Sequence, residues 1–138
     1  DLSYNHLDDL PYEFHAGNMP YFYGLDISYN RFSHFPFEPF DCASLTMMAI
    51  RSQRNEKGER CLKEWPTGVY NHTGLRALYI GSNDLDDRIS YLIYYLDISD
   101  NPNIVFDATD ICYYWQSGVY FLLYDKTQDI RNCPLMLE

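Results

Sequence analysis

The chain has 138 residues, of which 46% are hydrophobic and 22% charged, with 14 tyrosines; this excludes a disordered chain, which is poor in apolar and aromatic residues. No run approaches the roughly 18 apolar residues of a membrane-spanning helix. A formal net charge of −10 argues against nucleic acid as a partner, because its phosphates are held by Lys and Arg.

The first predicted element is DLSYNHLDDLP, residues 1–11, and its phrase returns along the chain. It recurs as LDISYN at 25–30, in degenerate form as MAIRSQ at 48–53, as LYIGSN at 78–83 and as LDISDN at 96–101. Most copies lead to an apolar residue two places on and then an apolar-Pro pair, as in NHLDDLP and NRFSHFP. Two apolar residues set two apart share one face of a strand, so each copy predicts a short strand with its pair turned inward. One such coil cannot bury its leucines alone, and stacked neighbours must cover them. The polar position that ends each copy (Asn5, Asn30, Gln53, Asn83 and Asn101) is predicted to be architectural. An amide there both donates and accepts, and so pairs the backbone groups left by a sharp turn.

Between successive amides lie 25, 23, 30 and 18 positions. The long interval holds RNEKGER, 54–60, an insertion expected to form a polar hairpin turning at Lys57-Gly58. Five of the ten basic residues, Arg51, Arg54, Lys57, Arg60 and Lys63, fall within thirteen positions here. They make either a solvated charged loop or a basic contact patch on an acidic body. After Asn101 the repeat stops. Residues 107–118, DATDICYYWQSG, read as a helix capped by Asp107 or Thr109 and ended by Gly118. VYFLLYD, 119–125, reads as a strand by its β-branched and aromatic content. Residues 1–101 are therefore expected to form about five coils, and 102–138 a helix-plus-strand cap over the last of them. The opening coil lacks its first leucine and any cap, so its apolar edge is expected to be exposed, as in a chain begun by truncation.

Written out, the unit is LxxLxLxxNxLxxLP, and over nearly its whole length the chain resembles the leucine-rich repeat family. The resemblance implies an α/β solenoid: a right-handed superhelix with a short parallel sheet on its concave face. The tail, the insertion and EWPTGVY further resemble exported bacterial leucine-rich repeat (internalin-like) surface lipoproteins. That closer likeness implies a location outside the cell, on its surface or in the periplasm, and an interaction role with no catalytic residues.

Outward strand positions are free of core duty and are the candidate ligand face: Asp26, Ser28, Tyr29, Met47, Arg51, Tyr79, Ser82, Tyr95 and Asp97. Acidic ends suit a protein or peptide ligand with basic groups, and tyrosines give large contact area at low entropic cost. A glycan on Tyr79 and Tyr95 is the alternative ligand, and a structural spacer the alternative role. Replacing Tyr79 and Arg51 together is expected to abolish capture with little loss of stability. The pairs Tyr94-Tyr95 and Tyr113-Tyr114 are expected first in core or cap packing and second on a binding surface.

Four cysteines, Cys42, Cys61, Cys112 and Cys133, contain no CxxC pair, which argues against zinc. Two disulfides in an exported protein fit the count, with Cys112–Cys133 and Cys42–Cys61 favoured among the three possible pairings. No cofactor or metal is expected. The four histidines (His6, His15, His34 and His72) are scattered, and neither HExxH nor GxSxG occurs, so no enzyme is indicated.

Overall fold

The computed structural model describes residues 1–11, 13–14, 20–36, 44–64, 74–86, 88–89, 94–106 and 121–123. Four short strands carry the repeat: β1 (Gly24–Asp26), β2 (Met47–Ala49), β3 (Ala77–Tyr79) and β5 (Tyr95–Asp97). β4 (Arg88–Ile89) and β6 (Val105–Phe106) pair in parallel as a separate two-stranded sheet, and β7 (Phe121–Leu123) lies in the tail. The main sheet is parallel throughout, in the order β1-β2-β3-β5-β7. The first coil extends it by backbone bonds, with Leu2 N–H donating to Asp26 and Tyr4 N–H to Ser28.

Register makes the core. Leu25, Met48, Leu78 and Leu96 are aligned partners across four strands, and all are buried. Two residues on, Ile27, Ile50, Ile80 and Ile98 form a second row with no exposure. Phe32, Leu62, Leu85 and Ile104 make a third, beyond the turn. Burying one such side chain contributes about 1.5–3 kcal/mol, so each coil is stable only through the rows it shares with its neighbours.

The turn leaving each strand is a repeated device. Tyr4, Tyr29, Ser52, Ser82 and Asp100 all take the left-handed conformation, with φ between 53° and 58°. Each sits one place before the amide column, which pairs the backbone that the turn exposes. Asn30 Nδ2 donates to the carbonyls of Leu2 and Ile27, and Asn30 Oδ1 accepts from Leu7 N–H. Gln53, Asn83 and Asn101 repeat the pattern, each donating to a carbonyl of the coil before and to one of its own. One step differs. Asn83 Oδ1 accepts from Gln53 N–H rather than from the residue two places on, because Asn55 at that position already belongs to the insertion.

The insertion is a hairpin. Arg54 and Arg60 pair as an antiparallel bridge, and Gly58, at φ 77°, completes the turn. Its two end arginines are bound to the solenoid. Arg54 donates to the Ser82 carbonyl and hydroxyl, and Arg60 to the carbonyls of Asn83 and Asp100 and to the Asp100 carboxylate. These cations staple the hairpin to the next two coils and are not a free contact patch. Arg60 holds the Asp100 carboxyl below its ordinary value, assisted by Ser82 and Arg54 and opposed by partial burial. A depressed folded value contributes stability above the unfolded pKa of about 4, and that contribution is lost as pH falls through the lower folded value. Arg60→Ala is therefore expected to lower stability by about 1 kcal/mol at neutral pH, since the Asp100 carboxylate is 54% exposed and water screens the pair. The gap from wild type should narrow below pH of about 4 in urea unfolding curves taken across pH.

The sequence-based expectations meet the structure unevenly. The strand expected at 119–125 is β7, and it continues the main sheet in register with β5. The helix expected at 107–118 lies outside the described residues, among which there is no helix. Cys42, Cys112 and Cys133 also lie outside them. Among the described residues Cys61 is a free thiol, its Sγ donating to the Phe32 carbonyl at 3.2 Å, and its expected partner Cys42 lies outside them. Partial burial pushes that thiol up from its ordinary value.

Candidate functional site

The outward positions of the sheet form rows across the coils. One row runs Gly24, Met47, Ala77, Tyr95, and the next Asp26, Ala49, Tyr79, Asp97. Asp26 and Asp97 come from the same phrase, LDIS, and fold back in the same way. Asp26 Oδ1 accepts from Ser28 N–H, and Asp97 Oδ1 from the N–H and hydroxyl of Ser99. Asp1 and Ser3 repeat this in the first coil. Asp and Ser take such local bonds readily, so the acidic column is held by its own backbone.

The centre of the face is a closed electrostatic unit. Arg51 Nε donates to Asp97 Oδ2 at 3.1 Å, and its guanidinium carbon stands 4.5 Å from the centre of the Tyr79 ring. Arg51 follows β2 and Asp97 ends β5, so the bond crosses the whole of β3, a span of about 9.6 Å at ordinary strand spacing. Gly81 makes the crossing possible. A Cβ there would lie 3.1 Å from both Asp97 oxygens and from Ser99 Oγ. The side chain of Asp97 is 7% exposed and that of Arg51 37%. Asp97 is thus covered by its partner, not presented to a ligand.

Burial corrects the candidate set. Ser28 and Asp97, expected on the accessible face, are buried, and the Ser28 hydroxyl accepts from Arg51 N–H. Tyr29 and Ser82 stand on the left-handed turns at the edge of the sheet rather than on its outward rows. Met47 lies over Gly24, where a Cβ would meet its Cε at 3.5 Å. Asp26, Met47, Arg51, Tyr79 and Tyr95 remain together on the outward face.

Tyr94 and Tyr95, expected first in packing, are both exposed. Arg76 stands with them at the entry to β5, its guanidinium over the Tyr94 ring at 5.4 Å. Tyr21 and Tyr23, at the entry to β1, are exposed as well, and the tyrosines at these two strand entries make up an aromatic lip. Sequence reasoning named Tyr95 but missed Tyr23 and Arg76, which fill variable positions of the repeat unit just before the strands. A further pair stands at the turn edge, where Tyr4 and Tyr29 stack with centroids 4.2 Å apart and planes 7° apart. A hydroxyl hydrogen bond between them raises the Tyr4 phenol above its ordinary value.

No protein-family model matches the chain, and neither does any curated protein. Among solved structures it is similar to a leucine-rich repeat protein from Bacteroides thetaiotaomicron, with 45% identity and a TM-score of 0.86. That match covers 99% of this chain and 17% of the other. A leucine-rich repeat protein from Bacteroides eggerthii gives 44% identity and the same TM-score, covering 99% of this chain and 22% of the other. The chain spans about a fifth of the length of each of these two proteins.

Proposed function

We infer that this chain, a leucine-rich repeat protein by its parallel solenoid and its likeness to those two structures, is a non-catalytic module that binds a protein or peptide on the outward, concave face of its sheet. The observation that carries the reading is the lip of exposed tyrosines at the strand entries beside that face: Tyr23 is 72% exposed and Tyr95, on an outward row, 44%. Tyrosines are enriched at interfaces because each supplies a large apolar body and a polar tip. The net charge of −10 favours a basic partner and speeds its approach. The central charges neutralise each other, which leaves the rim to choose the partner. The same reading puts the module at the cell surface, supported by the resemblance of its tail and insertion to exported lipoproteins.

The test is binding to an array of basic and acidic peptides. Basic peptides should be retained and released by salt. Tyr23→Ala with Tyr95→Ala should weaken retention at least tenfold, the effect of losing about 1.4 kcal/mol. Both side chains stand outside the core, so the melting temperature should hold. Retention unchanged by the double substitution would remove the concave-face reading.

A further inference from the structure

A second concavity lies at the turn edge of the sheet, away from the outward rows. It is a cleft of about 290 Å³. The first coil contributes Asn5 and His6, the second Tyr29 and Arg31, and the insertion Arg54 and Glu56. Two guanidinium groups and one carboxylate line it, so it is a positive spot on a strongly acidic chain. Its volume sits at the lower end of the range for small-molecule pockets, about 300–1,000 Å³, and suits a single ring.

The two arginines are held differently. Arg54 is fixed by the carbonyls of Gln53 and Ser82 and by the Ser82 hydroxyl, and it has no carboxylate within ion-pair distance among the described residues. Arg31 meets one group, Glu56, reaching across from the insertion at 3.2 Å. Their side chains are 32% and 82% exposed. An ion pair this open contributes at most about 1 kcal/mol. It also uses one donor of a guanidinium that can hold a carboxylate with two. Glu56 therefore engages Arg31 through one donor and leaves the others to a carboxylate that takes two. Beside it, Tyr29 is locked in a left-handed turn and stacked on Tyr4, so a rigid aromatic ring stands at the cleft. Asn5 donates to the Leu2 and Ser3 carbonyls, and its Oδ1 accepts from no described residue, leaving an acceptor for a hydroxyl.

We propose that this cleft binds a carboxylate-bearing sugar of the hexuronate kind, its carboxylate replacing Glu56 on Arg31 and its ring lying beside Tyr29. The site shares no residue with the tyrosine lip, so it stands or falls apart from peptide binding there. Arg54 adds fixed positive charge, and the apolar face of the ring meets an aromatic plane.

Calorimetric titration of the whole chain with glucuronate, glucose and a short oligouronate tests it. Glucuronate should bind and glucose should not. Glu56→Gln removes the internal competitor and should tighten glucuronate binding by about threefold to fivefold, the fold-change equivalent to the worth of an exposed ion pair. Arg31→Gln should weaken it at least tenfold. Glu56 is almost wholly exposed, so that variant keeps its fold and remains informative if Arg31→Gln does not. Tighter binding of the oligouronate would show that the cleft takes a chain end, and equal binding that it takes the free acid; both support the proposal. Equal affinity for glucose, no gain in Glu56→Gln, or no binding of either uronate would overturn it.

Discussion

Asn83→Ala is expected to bring the solenoid close to unfolding under conditions in which Asn5→Ala barely registers. Asn83 has no exposure. Its Nδ2 donates to the carbonyls of Ile50 and Ile80, and its Oδ1 accepts from Gln53 N–H. Alanine leaves these groups buried and unpaired, at about 1–3 kcal/mol for each that water cannot reach. The expected total is about 3–5 kcal/mol, a large share of the roughly 5–15 kcal/mol that holds a domain together. Stacked coils need not unfold as one, so hydrogen exchange is the sharper measurement. Protection of the Gln53 amide should collapse first, and the third and fourth coils should lose protection together. Asn5 occupies the same place in its phrase but is exposed, and it bonds only to the carbonyls of Leu2 and Ser3 within its own coil. Its replacement should cost under about 1 kcal/mol, since water can take its place. Equal losses for the two variants would show that the column does not act through buried backbone.

Arg51→Glu is expected to destabilise the chain by about 2 kcal/mol, between the cost of breaking a buried pair and that of an exposed one, because Asp97 is covered while Arg51 is 37% exposed and screened by water. The substitution sets a second carboxylate beside Asp97, whose side chain is almost fully covered, and removes the guanidinium that lies over Tyr79. The structure therefore predicts a different outcome from the one natural from sequence, that Tyr79 and Arg51 can be replaced together with little effect on stability. Gly81→Ala probes the same contact from beneath, because its Cβ would press on the Asp97 oxygens and Ser99 Oγ. A cost of about 1 kcal/mol follows from overpacking. Chemical denaturation of the two single variants and their combination should show non-additive losses, since both act on one contact. Additive losses would mean that Gly81 does not license the crossing. Substitutions meant to test binding therefore belong on Tyr23 and Tyr95, not on Arg51.

Sequence alone determined the repeat, and with it the strands, the inward rows and the amide column. Leu25, Ile27 and Asn30 recur in register as Leu78, Ile80 and Asn83, and a strand leaves only one way to point such a pair inward. The hairpin at Lys57-Gly58 was also legible, because a period that runs long must shed its excess outside the stack. What sequence could not give was any contact between coils. Arg51 and Asp97 lie 46 residues apart, and Arg31 and Glu56 lie 25 apart. No local pattern links either pair. Stacking brings them together, with Gly81 clearing the path for one and the insertion folding back to make the other. Burial likewise belonged to the tertiary structure. Ser28 and Asp97 stand at outward positions, yet their neighbours cover them, while Tyr23 at the entry to β1 and Tyr95 on an outward row stay open. The phrase of a repeat fixes which way a side chain points. Only the coils on either side decide whether anything else can reach it.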